Sequence, residues 1–265
     1  MAALAPLTER RVDEYLDRIG THRPDVPDRA SLARLQLAHL ETVPFENLDI
    51  ARGIPIVTEL DAVADKVVRR RRGGYCFELN ALFGSLLTSL GYEVRLLAAR
   101  VARDDGTYGR PFAHLTLDVV DPEGGPSLLT DVAFGDGLTA PLPIVADVVR
   151  PDRDRRVRLV RDADAWVYED DREGTWAPLY TFDLVHRSRT DFDEMNRWQQ
   201  TSPESRFTQQ TICTLLTTDG RVTIAGDRLV VTTDGERDER PLAAGERDLV
   251  LRDRFGIVLG REALD

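Results

Sequence analysis

The sequence predicts an α+β fold, and three observations carry that expectation. Apolar residues recur at helical spacing through the first ninety positions, the period drops to about two after Gly91, and the last third sets strand-like runs between Asp-Gly and Gly-Asp turn signals. A helical N-terminal bundle followed by a sheet-rich remainder accommodates all three.

The helices come first. Thr8 is placed to cap a helix that carries Val12, Tyr15, Leu16 and Ile19 on one face and stops at Gly20. A second starts near Asp28, carries Leu32, Leu35 and His39, and ends before Pro44, because the residue preceding a proline is pushed out of the helical region. Thr58 and Asp61 cap a third, with Leu60, Val63 and Val67 inward and Gly73 at its end. A fourth opens at Cys76 and repeats Leu79, Phe83, Leu86, Leu87 and Leu90. The run Arg69-Arg70-Arg71-Arg72 invites a phosphate-binding reading, but arginines in a last helical turn also complement the negative end of the helix dipole. Arg72 stands apart from the other three, since it adjoins the glycines before Cys76 and has Glu46 as a candidate partner to brace the cysteine loop.

Strands are expected at Tyr92 to Val101, Phe112 to Val120 and Ser127 to Phe134, then at Val157 to Val160, Trp166 to Tyr168 and Trp176 to Phe182. These pieces suit a barrel or curled sheet. Asp121-Pro122-Glu123-Gly124 has the proline and glycine positions of a type I turn. A turn centred between Pro122 and Glu123 sets His114 opposite Asp131, although a loop that takes in Gly125 and Pro126 would shift the register. Thr190 caps a helix through Gln200, which Thr201-Ser202-Pro203 ends. Strands and a short amphipathic helix holding Leu249, Leu251 and Phe255 follow.

The composition bounds the function. The 265 residues are 42% hydrophobic and 31% charged, enough to bury a sizeable core, and the net charge of −11 argues against a nucleic-acid or anionic-membrane partner. No apolar stretch reaches the roughly 20 residues of a membrane span, and Met1 to Leu7 lack the makings of a signal peptide, so the cytoplasm is the expected compartment. Two cysteines are too few for a disulfide scaffold and have no metal-ligand spacing to a histidine, so no metal is expected. Cys213, in an apolar run, reads as a core residue.

Cys76 is different. It follows Gly73-Gly74-Tyr75 at a helix start, where unpaired N–H groups and the helix dipole favour a thiolate. With His114 as base and Asp131 to orient the imidazole, it supplies the parts of covalent acyl transfer. His22, His39 and His186 sit in settings that read as structural or solvated.

The chain resembles the arylamine N-acetyltransferase family. The resemblance rests on Val43-Pro44-Phe45-Glu46-Asn47-Leu48, Arg72 through Asn80, His114-Leu115-Thr116-Leu117, Asp131-Val132-Ala133-Phe134-Gly135 and Thr201 through Thr208, five motifs in the family's order. It implies a helical bundle over 1–91 carrying the nucleophile, a β-barrel-like domain over 92–189 carrying histidine and aspartate, and an α/β lid over 190–265, around a cysteine-protease-like catalytic core. It also implies acetyl-CoA as donor, an arylamine or arylhydrazine as acceptor, and a ping-pong exchange through a Cys76 thioester. By the same resemblance Arg72 and Glu46 form a structural ion pair, Phe45, Phe134 and Phe207 line the acceptor pocket, and Gly135 and Thr208 lie near the coenzyme. Family members usually have glycine where this chain has Ala133, which bears on acceptor size and donor preference.

Three other readings use the same residues. An amide synthase would release a carrier-bound polyketide by joining its acyl end to an aryl amine, with the same motifs around Cys76. Cysteine peptidases and transglutaminases use similar side chains, and a non-enzymatic binding module would have no need of all three.

Overall fold

Thr8 caps the first helix, α1 (Glu9–Arg18), by accepting from the Arg11 N–H, and Asp28 caps α2 (Arg29–Leu40) through the Ser31 N–H at 2.7 Å. The computed structural model describes residues 4–172 and 174–260. A two-residue strand, β1 (Phe45–Glu46), precedes α3 (Leu48–Ala51) and α4 (Leu60–Ala64), which passes into a π-helical turn, Asp65–Arg69. The expected cap of α4 is absent: Glu59 holds the cap position without a side-chain bond, and the Thr58 hydroxyl instead accepts from Arg189 Nη1 at 2.6 Å. Nor does this helix reach Gly73, because the chain turns at Arg71, where φ is +50°.

The fourth long element, α5 (Cys76–Ser89), is buried from Cys76 through Leu87. Its neighbours explain this. Val12, Tyr15, Leu32, Leu35, Val63 and Val67 pack on it from the helices, and Leu96, Leu115, Leu117 and Val119 from a sheet, to form one core. That sheet has eight antiparallel strands: β2 (Val94–Val101), β3 (His114–Val119), β4 (Leu128–Thr130), β5 (Leu142–Pro143), β6 (Arg150–Asp152), β7 (Arg155–Asp162), β8 (Ala165–Arg172) and β9 (Thr175–Phe182). They lie in the order β5-β4-β3-β2-β9-β8-β7-β6 and curl around a second core that includes Leu97, Leu129, Leu159, Tyr168, Tyr180 and Phe182.

Two expectations about the hairpin need correction. Leu117 pairs with Thr130 and Val119 with Leu128, so paired numbers sum to 247 rather than 245. The Asp121–Gly124 turn does form, but the Asp121 carboxylate also accepts from the Glu123 and Gly125 amides, which draws Gly125 into the loop. The strand expected to reach Phe134 ends at Thr130, because the Asp131 carboxylate folds back to accept from the Ala133 N–H at 2.9 Å.

A 3₁₀ turn, Arg189–Phe192, leads into α6 (Asp193–Thr201), and Ser188 rather than Thr190 occupies the cap, its N–H bonded to Asp191. After α7 (Arg206–Gln209) come β10 (Ile212–Thr217), β11 (Gly220–Ala225), β12 (Arg228–Thr233), β13 (Glu236–Pro241) and α8 (Glu246–Phe255). These four strands form a sheet completed by β1, which pairs Phe45 with Thr214 and Glu46 with Cys213. Cys213 is wholly enclosed in the core beneath this sheet, and burial, with the Glu46 charge adding, pushes its thiol well up. Among the described residues no helix is long and apolar enough to cross a membrane.

Candidate active site

The loop that presents Cys76 is clamped from outside and beneath. Gly74 bridges to Phe45, the Glu46 N–H donates to the Gly74 carbonyl at 2.8 Å, and the Gly74 N–H donates to the Pro44 carbonyl at 3.3 Å. The approach is so close that a Cβ on Gly73 would strike the Pro44 carbonyl oxygen. Beneath lies a buried ionic network. Arg72 reaches Glu46 at 2.8 Å and Asp49 at 2.9 Å, while Lys66 reaches Asp49 at 2.9 Å and Glu78 at 2.8 Å. Burial alone would raise the Asp49 carboxyl, but the Lys66 and Arg72 charges hold it below its ordinary value. Glu78 is fully enclosed and stays raised by burial, with Lys66 pulling against it. Its other oxygen accepts from the Tyr75 N–H at 3.1 Å, so the network ends on the residue before Cys76.

Cys76 opens α5. The amides of Glu78 and Leu79 are the first to bond back, both to the Tyr75 carbonyl, at 3.0 and 2.9 Å. The Cys76 and Phe77 amides precede them at the positive end of the helix dipole, where an anion is favoured.

His114 opens β3 and Asp131 lies one residue past β4; their side chains meet at 2.6 Å, Nε2 to Oδ2. The two-residue register difference keeps them on one face of the sheet, so they meet diagonally. The Cys76 side chain lies close enough to His114 to act on its charge. Burial would lower the imidazole, but the Asp131 charge and hydrogen bond, and contact with Cys76, carry it to about 10. Burial likewise pushes Asp131 up, and His114, Asn80 and the Ala133 amide outweigh it, leaving the carboxyl below its ordinary value.

Two residues at this site were assigned no role from sequence. Asn80 donates to Asp131 Oδ1 at 2.9 Å and to the Leu115 carbonyl at 2.6 Å, while its own oxygen accepts from the Val132 N–H at 2.9 Å. Its signal was available, since Asn80 lies four residues after Cys76 and so on the same helical face. Tyr180 donates to Asp131 Oδ2 at 3.2 Å. Nothing local marks it, because β9 reaches the site by pairing with β2.

The aromatic residues divide into two groups. Phe45 and Phe207 meet with ring centroids 6.1 Å apart, and Tyr75 touches Phe207 at 5.8 Å. Phe134 instead lies edge-on to His114 at 5.2 Å and against Tyr180 at 5.0 Å. Gly135 has φ +89°, and a Cβ there would meet Thr214 only at van der Waals distance, so backbone conformation rather than packing favours glycine. Thr208 is exposed, and its hydroxyl donates within its own loop, to Ser202 at 2.7 Å and Ser205 at 2.9 Å. Ala133 is buried beside Asp131. Among the described residues no group of three or more metal-ligating side chains comes together.

Residues 28–264 match a family model described as N-acetyltransferase. The chain is 37% identical over 252 residues to an arylamine N-acetyltransferase of Mycolicibacterium smegmatis, spanning 93% of this chain and 91% of that one. It is also similar to a solved structure of the M. smegmatis arylamine N-acetyltransferase, with a TM-score of 0.89 and 36% identity over 96% of this chain and 94% of that one. A Mycobacterium marinum arylamine N-acetyltransferase solved in complex with CoA aligns with a TM-score of 0.87 and 34% identity, over 93% and 92%. Matched along nearly its whole length, the protein is an acetyl-group transferase with a mixed α/β fold. It belongs to the arylamine N-acetyltransferase family.

Proposed function

We propose that this enzyme moves an acetyl group from acetyl-CoA to an arylamine or arylhydrazine through a thioester on Cys76. The observation that carries this is His114, enclosed, 2.6 Å from the Asp131 carboxylate and with the Cys76 side chain close enough to act on its charge. His114 already carries, as an imidazolium, the proton given up by Cys76, and the sulfur attacks the acetyl carbonyl. The new S–C bond forms as the C–S bond to coenzyme A breaks, and the imidazolium returns its proton to the departing thiol. The Cys76 and Phe77 amides are positioned to face the oxyanion. In the second half the acceptor nitrogen attacks the acetyl-cysteine, His114 takes the proton lost by nitrogen, and Cys76 leaves as thiolate. Asp131 keeps the ring in one tautomer and stabilises its charged form.

Arg72 and Glu46 brace the cysteine loop. Phe45 and Phe207 form one wall of the acceptor pocket and Phe134 the other, with the Ala133 methyl narrowing the space beside it. Gly135 and Thr208 lie toward the coenzyme. Nucleophile on a helix start and base on a facing sheet make a cysteine-protease-like core, with residues 190–265 as its lid and 92–189 as its barrel-like wall. Dependence on acetyl-CoA suits work in the cytoplasm.

Intact-mass spectrometry after incubation with acetyl-CoA tests the reading. One acetyl adduct is expected, absent in Cys76→Ala and discharged by an added arylamine. Folded wild-type protein that gains no adduct rules out acetyl transfer by this route.

A further inference from the structure

Four contacts from one helical segment, the turn Arg189–Phe192 with α6, fall on residues that flank Cys76 and His114. The Tyr75 hydroxyl, one residue before Cys76, donates to Asn196 Oδ1. The Phe192 ring lies 5.6 Å from that of Phe77, one residue after Cys76. Gln199 Nε2 donates to the carbonyl of Ala113, one residue before His114, at 2.6 Å. Phe192 also meets Phe112, two residues before His114, edge-on at 5.4 Å. Tyr75, Phe192, Asn196 and Gln199 are all buried.

The backbone at Phe112 adds a separate observation. Its φ of +61° is left-handed, a conformation that a bulky residue keeps only where its surroundings over-determine it. Phe192 on one side and the Arg187 guanidinium, 5.2 Å from the ring centre, supply that constraint. The chain is therefore forced into one path as it enters His114.

The nucleophile and the base come from different elements, α5 and β3. Asn80 ties them one turn along from Cys76, through its bond to the Leu115 carbonyl. The shared core and the Asn80 bonds hold the helix one turn along, and a second hydrogen-bonded tie, at the Cys76 end, limits its remaining tilt. We propose that the Arg189–Thr201 segment is this second tie: Asn196, through Tyr75, and Gln199, through Ala113, are positioning residues that set the distance from the Cys76 sulfur to the His114 ring. The inference rests on the reading that Cys76 and His114 act together. It assigns to a segment outside both the helical bundle and the eight-stranded sheet the alignment of a pair those two bodies supply.

Tyr75→Phe and Gln199→Met test it. Tyr75→Phe removes one hydroxyl and keeps the ring, and Asn196 Oδ1 still has Gln200 Nε2 at 3.2 Å. The reading to take is the rate of Cys76 alkylation by iodoacetamide at neutral pH, which needs an activated sulfur but no acetyl donor. It is measured beside kcat, KM and the thermal midpoint. Each variant is expected to alkylate roughly tenfold more slowly, with kcat falling in step and KM for acetyl-CoA changing less than about twofold. The double variant loses less than the product of the two, because both act on one distance. Leu251→Ala, in the separate core beneath the C-terminal sheet, provides a purely structural comparison: its midpoint falls while alkylation keeps its rate. Wild-type alkylation rates in both variants would overturn the proposal. So would losses that merely track thermal stability, with Leu251→Ala slowed to the same degree. If wild-type protein gains no acetyl adduct and the variants still alkylate slowly, acetyl transfer fails and the positioning role stands.

Discussion

Burial ordinarily favours a neutral imidazole, and His39 follows that rule. Enclosed in the helical core with Tyr15 bonded to its Nδ1 at 2.7 Å, it is lowered by burial, and further by the Arg18 charge, to about 3. His114 is buried as completely and goes the other way, to about 10, because a carboxylate stands 2.6 Å from it. The folded state thus holds the His114 proton more tightly than the unfolded chain. That stabilisation is complete below about pH 6.5, declines as pH rises and is lost above about 10. Asp131, whose carboxyl is lowered, contributes in the opposite sense: its share is present above its ordinary 3.8 and lost as pH falls. In Asp131→Asn the thermal midpoint should therefore lose most of its decline between pH 6.5 and 10, as calorimetry across that range can show. The same variant should keep its circular dichroism and lose activity by a factor on the order of 10³ or more. Full activity in folded Asp131→Asn would remove the carboxylate from the mechanism.

At the scale of elements, the Cys76 loop depends on two strips of backbone meeting without side chains between them. Gly73→Ala forces a methyl onto the Pro44 carbonyl, and overpacking of this kind costs about 1–3 kcal/mol, to be read from the urea midpoint. An unchanged urea midpoint would mean that the loop moves away from the Pro44 carbonyl without cost. What could be read of these elements beforehand follows the range of the forces that make them. The cap at Thr8 and the helix start near Asp28 were legible because the capping donor and acceptor lie three residues apart. The cap expected at Thr58 was not, since its hydroxyl is taken by Arg189 from 131 residues away. The β3–β4 register slid by two because the Asp121 carboxylate gathers two loop amides, a side-chain effect that turn statistics do not contain. A slide of two preserves the face, which is why His114 and Asp131 could still be paired from sequence.

The whole molecule is held at a seam that sequence gave little means to foresee. Asn47 donates to the Phe207 and Gln210 carbonyls, at 3.0 and 2.9 Å, and accepts from the Ile212 N–H at 2.7 Å, so one buried side chain joins the N-terminal segment to the C-terminal sheet. Asn47→Ala leaves three backbone groups without that partner and should cost about 2 kcal/mol in urea titration. Because Phe207, a wall of the proposed acceptor pocket, rides on the released loop, KM for arylamines should rise with it; an unchanged KM would separate the seam from that proposed pocket. Asn47 was visible within a motif, but its partners lie 160 to 165 positions away. Tyr180 and the Arg189–Thr201 segment were legible as strand and helix, but their place beside the site was not, for the same reason, since contacts of that span leave no periodic trace. The seam has a further consequence through Cys213, which β1 and the last sheet enclose and whose thiol is raised by burial. With that sulfur enclosed, a gentle thiol label becomes a head count: an assembled chain binds at most one label, at Cys76, and an opened chain binds two, so label bound beyond one mole per mole of chain measures the share that is not correctly assembled.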